Sequence, residues 1–145
     1  MNTRIKIDKA EPAGYSAILG LEKFIESTSL TNTHKNLIKI RASQINGCAF
    51  CIDMHTKEAR RAGETEQRIF ALNAWRDTPF FTEEEKAILA LTEEVTLISN
   101  HVKDETYQRA AGLFDEAYLA QVILAIITIN AWNRIGITTL LVPAS

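Results

Sequence analysis

The chain contains two cysteines, Cys48 and Cys51, and a histidine, His55, four residues beyond the second. On an α-helix, residues three, four and seven apart share a side, so all three converge on one face. Such a group can do thiol chemistry. The thiolate attacks a peroxide or a disulfide, and a free cysteine with a pKa of about 8.5 is mostly protonated at neutral pH. Unpaired N–H groups at a helix start favour negative charge there, and an imidazole one turn away can take the thiol proton. After peroxide attack, the resulting sulfenic acid is resolved by the neighbouring cysteine to a disulfide, which an outside reductant must reopen.

Other readings of these residues carry less weight. A permanent structural disulfide would close a very short loop, and the chain reads as intracellular, where such bonds are rare. A structural zinc site needs four ligands; Cys48, Cys51 and His55 supply three, with no second CxxC or paired-histidine motif. Two inert buried cysteines are the plainest alternative.

Positioning this group requires a helix that starts at the cysteines. Asn46-Gly47 is a turn dipeptide, the periodic segment after it runs from Cys48 to about Arg61, and Gly63 suits a helix C-terminus. Upstream, Leu37, Ile38, Ile40 and Ile45 mark a helix with a cap expected at Asn32 or Thr33. Before it, Ile18, Leu19, Phe24 and Ile25 follow helical spacing from Tyr15. The first dozen residues, with Ile5 and Ile7 alternating and Pro12-Ala13-Gly14 as a break, read as an extended arm. Further helices are expected from Glu64 to Trp75, Glu83 to Asn100, Asp104 to Leu113 and Ala117 to about Ile135, with Thr82 and Glu85 forming a capping box. No segment of the body alternates like a strand. The expectation is an all-α single domain over residues 1–145, a bundle of six or seven helices with short connections.

Size and composition agree, since 145 residues with 46% apolar and 23% charged side chains suit one ordinary globular core. A net charge of −2 gives no electrostatic reason to expect a nucleic acid or an anionic membrane as partner. Lys35, Lys39, Arg41, Lys57, Arg60 and Arg61 read as a solvated helix face with no ligand. No cationic leader opens the sequence, so a cytoplasmic location is expected. The apolar stretch Ala117 to Trp132 is short for a membrane span and contains Gln121, Thr128 and Asn130, so it reads as a core helix. With Ile123, Leu124, Ile126, Ile127, Ile129 and Trp132 around it, that helix calls for cover on nearly all sides. A 16.2 kDa monomer rarely provides this, which points to a homo-oligomer.

The run Leu37-Ile38-Lys39-Ile40-Arg41-Ala42-Ser43-Gln44-Ile45-Asn46-Gly47-Cys48-Ala49-Phe50-Cys51-Ile52-Asp53-Met54-His55 resembles the core motif of the AhpD-like alkylhydroperoxidases, within the carboxymuconolactone decarboxylase superfamily. The likeness extends through Leu72–Arg76 and Phe81–Glu83 to Leu91–Glu93 and covers roughly residues 15 to 135. It implies an all-α fold, a trimer or hexamer, and peroxide reduction by the cysteine pair, with Cys51 as nucleophile and Cys48 as resolver. It implies no metal, haem or other cofactor, and a dithiol donor of lipoyl or thioredoxin type. One departure stands out. The peroxidases of the family carry a Glu twelve residues before the first cysteine as part of a proton relay, and here that position is Asn36. Asn exchanges no proton at neutral pH, so either His55 acts with water alone or another carboxylate substitutes; Glu93 is the candidate, against its reading as a solvated helix residue.

Two further functions compete with the peroxidase. A redox sensor or stress-response oligomer would form the same disulfide without turning over substrate. Lactone decarboxylation, the third option, does not need the cysteine pair, whose presence argues against it.

Overall fold

Short side chains cap the starts of five helices, and one glycine ends the first of these. The computed structural model describes residues 4–144. Its order is α1 (Ile7–Ala10), α2 (Pro12–Ser27), α3 (Asn32–Asn46), α4 (Ala49–Arg61), α5 (Glu66–Phe70), a 3-10 segment (Leu72–Asp77), α6 (Glu83–Thr96), a 3-10 turn (Ile98–Asn100), α7 (Asp104–Leu113) and α8 (Glu116–Thr138). No strand occurs among the described residues, as the sequence led us to expect.

The caps are local chemistry. The Thr31 hydroxyl accepts the His34 N–H at 3.1 Å and opens α3 one residue before the expected cap. Thr82 and Glu85 satisfy each other's backbone N–H at the start of α6, at 3.1 and 2.7 Å. Asp115 accepts the Tyr118 N–H at 2.8 Å and opens α8.

α3 is the central rod and packs against α4, α6 and α8. Its Ile38 joins Ile25, Ile88, Leu91, Val122, Ile126 and Ile129 in one core, whereas Leu37 and Ile40 join Leu72, Trp75, Phe81 and Leu89 in another. Full burial of such side chains is worth about 1.5–3 kcal/mol each, so apolar packing on two sides holds α3 firmly. The thiol segment begins where this rod ends.

Several expectations need correction. Of the expected extended N-terminal arm, residues 1–3 lie outside the described residues and Lys6 is extended, but Ile7–Ala10 is helical instead, and Pro12 begins α2 rather than breaking the chain, because its fixed φ and missing N–H suit a first helical turn. The helix expected from Glu64 to Trp75 divides into α5 and a 3-10 segment containing Ala74 at φ −122°. Similarly, the segment expected from Glu83 to Asn100 leaves the α-helix after Thr96. With the short α1 counted, there are eight α-helices among the described residues, where six or seven helices were expected.

α8, at 23 residues, is longer than expected and by length and composition could cross a membrane. It packs here against α2, α3, α4, α6 and α7. It is not covered on nearly all sides, since Ile127 and Ile137 are 46% and 41% exposed.

Candidate active site

The thiol site grows out of the turn that ends α3. Gly47 takes the left-handed conformation at φ 72°, open to glycine at little steric cost, and both its N–H and that of Cys48 donate to the Ser43 carbonyl, at 2.9 and 3.1 Å. The Asn46 amide donates to Asn130 and Asn133 of α8, each at 2.9 Å, and buried Asn133 donates to the Ser43 hydroxyl at 3.0 Å. The turn is thereby tied to α8. Cys48 follows at once as the N-cap of α4, and its sulfur accepts the Cys51 N–H at 3.3 Å.

Cys48 and Cys51 form a disulfide, with Cα atoms 5.3 Å apart, as the helical spacing allowed. Both residues are buried. They differ in outlook. Cys51 lines a cavity of about 1170 Å³, together with Phe50, Met54 and His55 of its own helix, and Cys48 is not among the lining residues. Tyr15 and Leu19 of α2 and Trp132 and Ile135 of α8 give the cavity apolar walls, and residues 4–8 and 139–141 border it.

His55 is buried one helical turn beyond Cys51, and its Nδ1 meets Glu58 Oε2 at 3.0 Å. Burial pushes the imidazole pKa down. The Glu58 hydrogen bond opposes this, the Lys39 charge adds to the lowering, and the result lies below the ordinary 6.5. A neutral, proton-accepting imidazole at neutral pH follows.

Lys39 overturns the reading of its cluster as a solvated face. Lys35 and Lys39 are only 7% and 8% exposed. The Lys39 ammonium donates to Glu22 at 3.0 Å and Glu26 at 3.2 Å, Lys35 reaches Glu26 at 3.5 Å, and Trp132 Nε1 donates to Glu22 at 3.1 Å. Burial alone would lower the Lys39 pKa, but the two carboxylates outweigh it and raise it. Long aliphatic stems with paired heads make this burial tolerable. Lys57, Arg60 and Arg61 are exposed, as expected.

The structure brings Cys48, Cys51 and His55 together, but it does not bring Glu93 to them. The Glu93 carboxylate accepts from Arg41 Nε at 2.8 Å, from Trp75 Nε1 at 3.1 Å and from Arg76. Burial raises its pKa, but the hydrogen bonds from Arg76, Arg41 and Trp75 outweigh that and hold the carboxyl below its usual range. It is a structural ion-pair hub and lies outside the cavity lining. The carboxylate at His55 is Glu58. It stands three residues along the same helix, a spacing readable from the sequence. Asn36 does line the cavity, without a group that exchanges a proton. Among the described residues, no group of three or more His, Cys, Asp or Glu side chains is arranged to hold a metal ion.

Fold and site together define an all-α protein carrying a helix-start CxxC disulfide with a histidine one turn on. Residues 12–94 match the carboxymuconolactone decarboxylase family. YdfG, an uncharacterised protein of Bacillus subtilis strain 168, is 48% identical over 138 residues, 94% of each chain. A solved Agrobacterium tumefaciens protein, of unknown function and considered a candidate AhpD antioxidant-defence protein, superposes with a TM-score of 0.95 at 38% identity over 99% of both chains. The debrominase Bmp8 shares the fold, with a TM-score of 0.85 at 20% identity over 94% of this chain and 74% of its own. The chain belongs to the carboxymuconolactone decarboxylase family and is an AhpD-like member of it.

Proposed function

We propose that the protein is a thiol-dependent peroxidase working through Cys48 and Cys51, with Cys51 attacking. The observation that carries this reading is the asymmetry of the disulfide: only Cys51 lines the large cavity, beside a histidine held neutral by burial. In the reduced protein His55 takes the Cys51 proton. The thiolate attacks a hydroperoxide oxygen, so that an S–O bond forms, the O–O bond breaks, and the leaving alkoxide takes a proton from the imidazolium. Cys48 then attacks the sulfenic sulfur, the S–S bond forms, and the S–O bond breaks to release water. The thiol pair is oxidised by two electrons and the peroxide reduced to an alcohol and water. An external dithiol, of lipoyl or thioredoxin type, returns the two electrons. We assign the cycle to the cytoplasm, where such reductants operate.

The test is steady peroxide consumption with dihydrolipoamide or thioredoxin as donor. Wild-type protein is expected to turn over, Cys51→Ser to be inactive, and Cys48→Ser to stop at a trappable Cys51 sulfenic acid. Formation of the disulfide without sustained turnover under any donor would instead favour the redox-sensing alternative.

We also infer self-association, as a trimer or hexamer. Ile98, Tyr107 and Ile127 are exposed and line an apolar groove of about 650 Å³ between the second 3-10 turn, α7 and α8. Light scattering should give a multiple of 16.2 kDa. A monodisperse monomer would sink this part of the reading.

A further inference from the structure

One helix face carries more than the thiol-site residues already assigned to it. Cys51, His55 and Glu58 stand four and three residues apart on α4, the spacings that stack side chains on one side of a helix. We propose that Glu58 is the positioning carboxylate of the thiol site. Its hydrogen bond to Nδ1 holds His55 in the tautomer protonated there and leaves Nε2 to exchange the Cys51 proton. This rests on the reading of Cys51 and His55 as a proton-exchanging pair.

The chemistry of the contact sets the tautomer. An ionised carboxylate only accepts, so a neutral imidazole bonded to it through Nδ1 must carry its proton on that nitrogen. Nε2 is then the basic nitrogen. Among the described residues no hydrogen bond engages Nε2. His55 itself borders the cavity shared with Cys51. The Glu58 side chain is 44% exposed against 6% for His55, so the carboxylate reaches a buried imidazole from the solvent side.

The other charged groups facing His55 do not take this role. Lys39 of α3 and Glu22 of α2 act on it through their charges, but each is hydrogen-bonded elsewhere, Lys39 to Glu22 and Glu26, and Glu22 to Lys39 and Trp132. Asp8, Arg4 and Lys6 sit on the bordering N-terminal segment and contribute no hydrogen bond to His55. Because sulfur, base and carboxylate ride on one helix, their relation does not depend on how α4 sits against its neighbours.

The experiment measures alkylation of Cys51 by iodoacetamide across pH in a Cys48→Ser background, with ¹⁵N NMR of the His55 ring as a readout that a merely structural role would not move. Loss of the carboxylate that orients a metal-ligating histidine typically costs 10–100-fold; at the lower end of that scale, Glu58→Ala should slow alkylation at neutral pH by about tenfold. It should also move the acid limb of the profile to lower pH and redistribute the ring proton between the two nitrogens. Glu58→Gln keeps an acceptor and should keep the tautomer, with a smaller loss of rate. An unchanged tautomer and acid limb in folded Glu58→Ala would overturn the proposal. If His55→Ala then still slowed alkylation, the pairing of Cys51 with His55 would stand and the role of Glu58 alone would fall. If His55→Ala also left the rate unchanged, both would fall together.

Discussion

The backbone of Gly136 in α8 passes against the disulfide so closely that a Cβ built there would stand 3.1 Å from Cys48 Sγ and 3.7 Å from Cys51 Sγ. Glycine is normally a liability inside a helix, about 0.5–1 kcal/mol worse than alanine. Here the missing side chain is the space that Cys48 occupies.

The sign of a Gly→Ala change should therefore depend on position. Gly20, inside α2, has nothing within 4 Å of where its Cβ would stand, so Gly20→Ala should stabilise by about 0.5–1 kcal/mol. Gly136→Ala should destabilise, because overpacking typically costs about 1–3 kcal/mol and here must move a sulfur fixed in a disulfide. Urea denaturation of both variants checks this. Stabilisation by Gly136→Ala would show that α8 yields easily at that point.

Glu93 should matter for stability and little for chemistry. It holds Arg41 of α3, Trp75 and Arg76 of the 3-10 segment to α6, and its side chain is 13% exposed. Removing a buried acceptor leaves its donors unpaired at about 1–3 kcal/mol. Glu93→Ala should lower the melting temperature while Cys51 alkylation in the folded protein stays within about twofold of wild type, below the hundredfold scale of lost general-base assistance. A large fall in alkylation with unchanged melting would restore Glu93 to the proton relay.

What the sequence disclosed was local. Cys48, Cys51, His55, the Asn46-Gly47 turn and the Thr82 and Glu85 box all lie within a few residues of their partners, so spacing alone carried them. Glu58 had the same advantage and was legible on those terms. Lys39 was not: its partners Glu22 and Glu26 lie 17 and 13 residues away, and only the packing of α2 over α3 turns an apparent solvent face into a buried ion cluster. Glu93 fails as a relay for the same reason, since Arg41 and Trp75 claim it from 52 and 18 residues away. The N-terminal segment misled because proline both breaks and begins helices, and local pattern did not distinguish the two.

Access to Cys51 should depend on the N-terminal segment. Arg4 donates to the Thr138 carbonyl at 2.9 Å, pinning residues that border the cavity to the end of α8. An exposed hydrogen bond is worth about 1 kcal/mol, or roughly fivefold in the population of a displaced segment. Arg4→Ala should therefore speed reaction of Cys51 with a bulky maleimide by up to about that factor and change its reaction with iodoacetamide little. Equal acceleration of both reagents would show that the segment does not control entry by size.

The last prediction concerns pH and stability. Burial lowers the pKa of His55, and also that of His34, whose Nδ1 lies 2.6 Å from the Tyr118 hydroxyl and whose shift is only partly opposed by the charges of Glu84 and Glu85. For a base depressed in the fold, the unfolded chain takes up its proton first, near the ordinary 6.5. Stability is thus fully present above that pH and falls as pH drops through each folded value, by at most about 1.4 kcal/mol per pH unit for each histidine. Glu26, Glu85 and Glu93, all lowered from 4.5, add a separate loss at more acid pH. Urea midpoints should begin to decline just below 6.5, and a His34→Gln, His55→Gln double variant should lose that first decline while keeping the acid one. An identical decline in the double variant would mean that neither imidazole is held neutral by the fold. It would also remove the physical basis for treating His55 as a ready base beside Cys51.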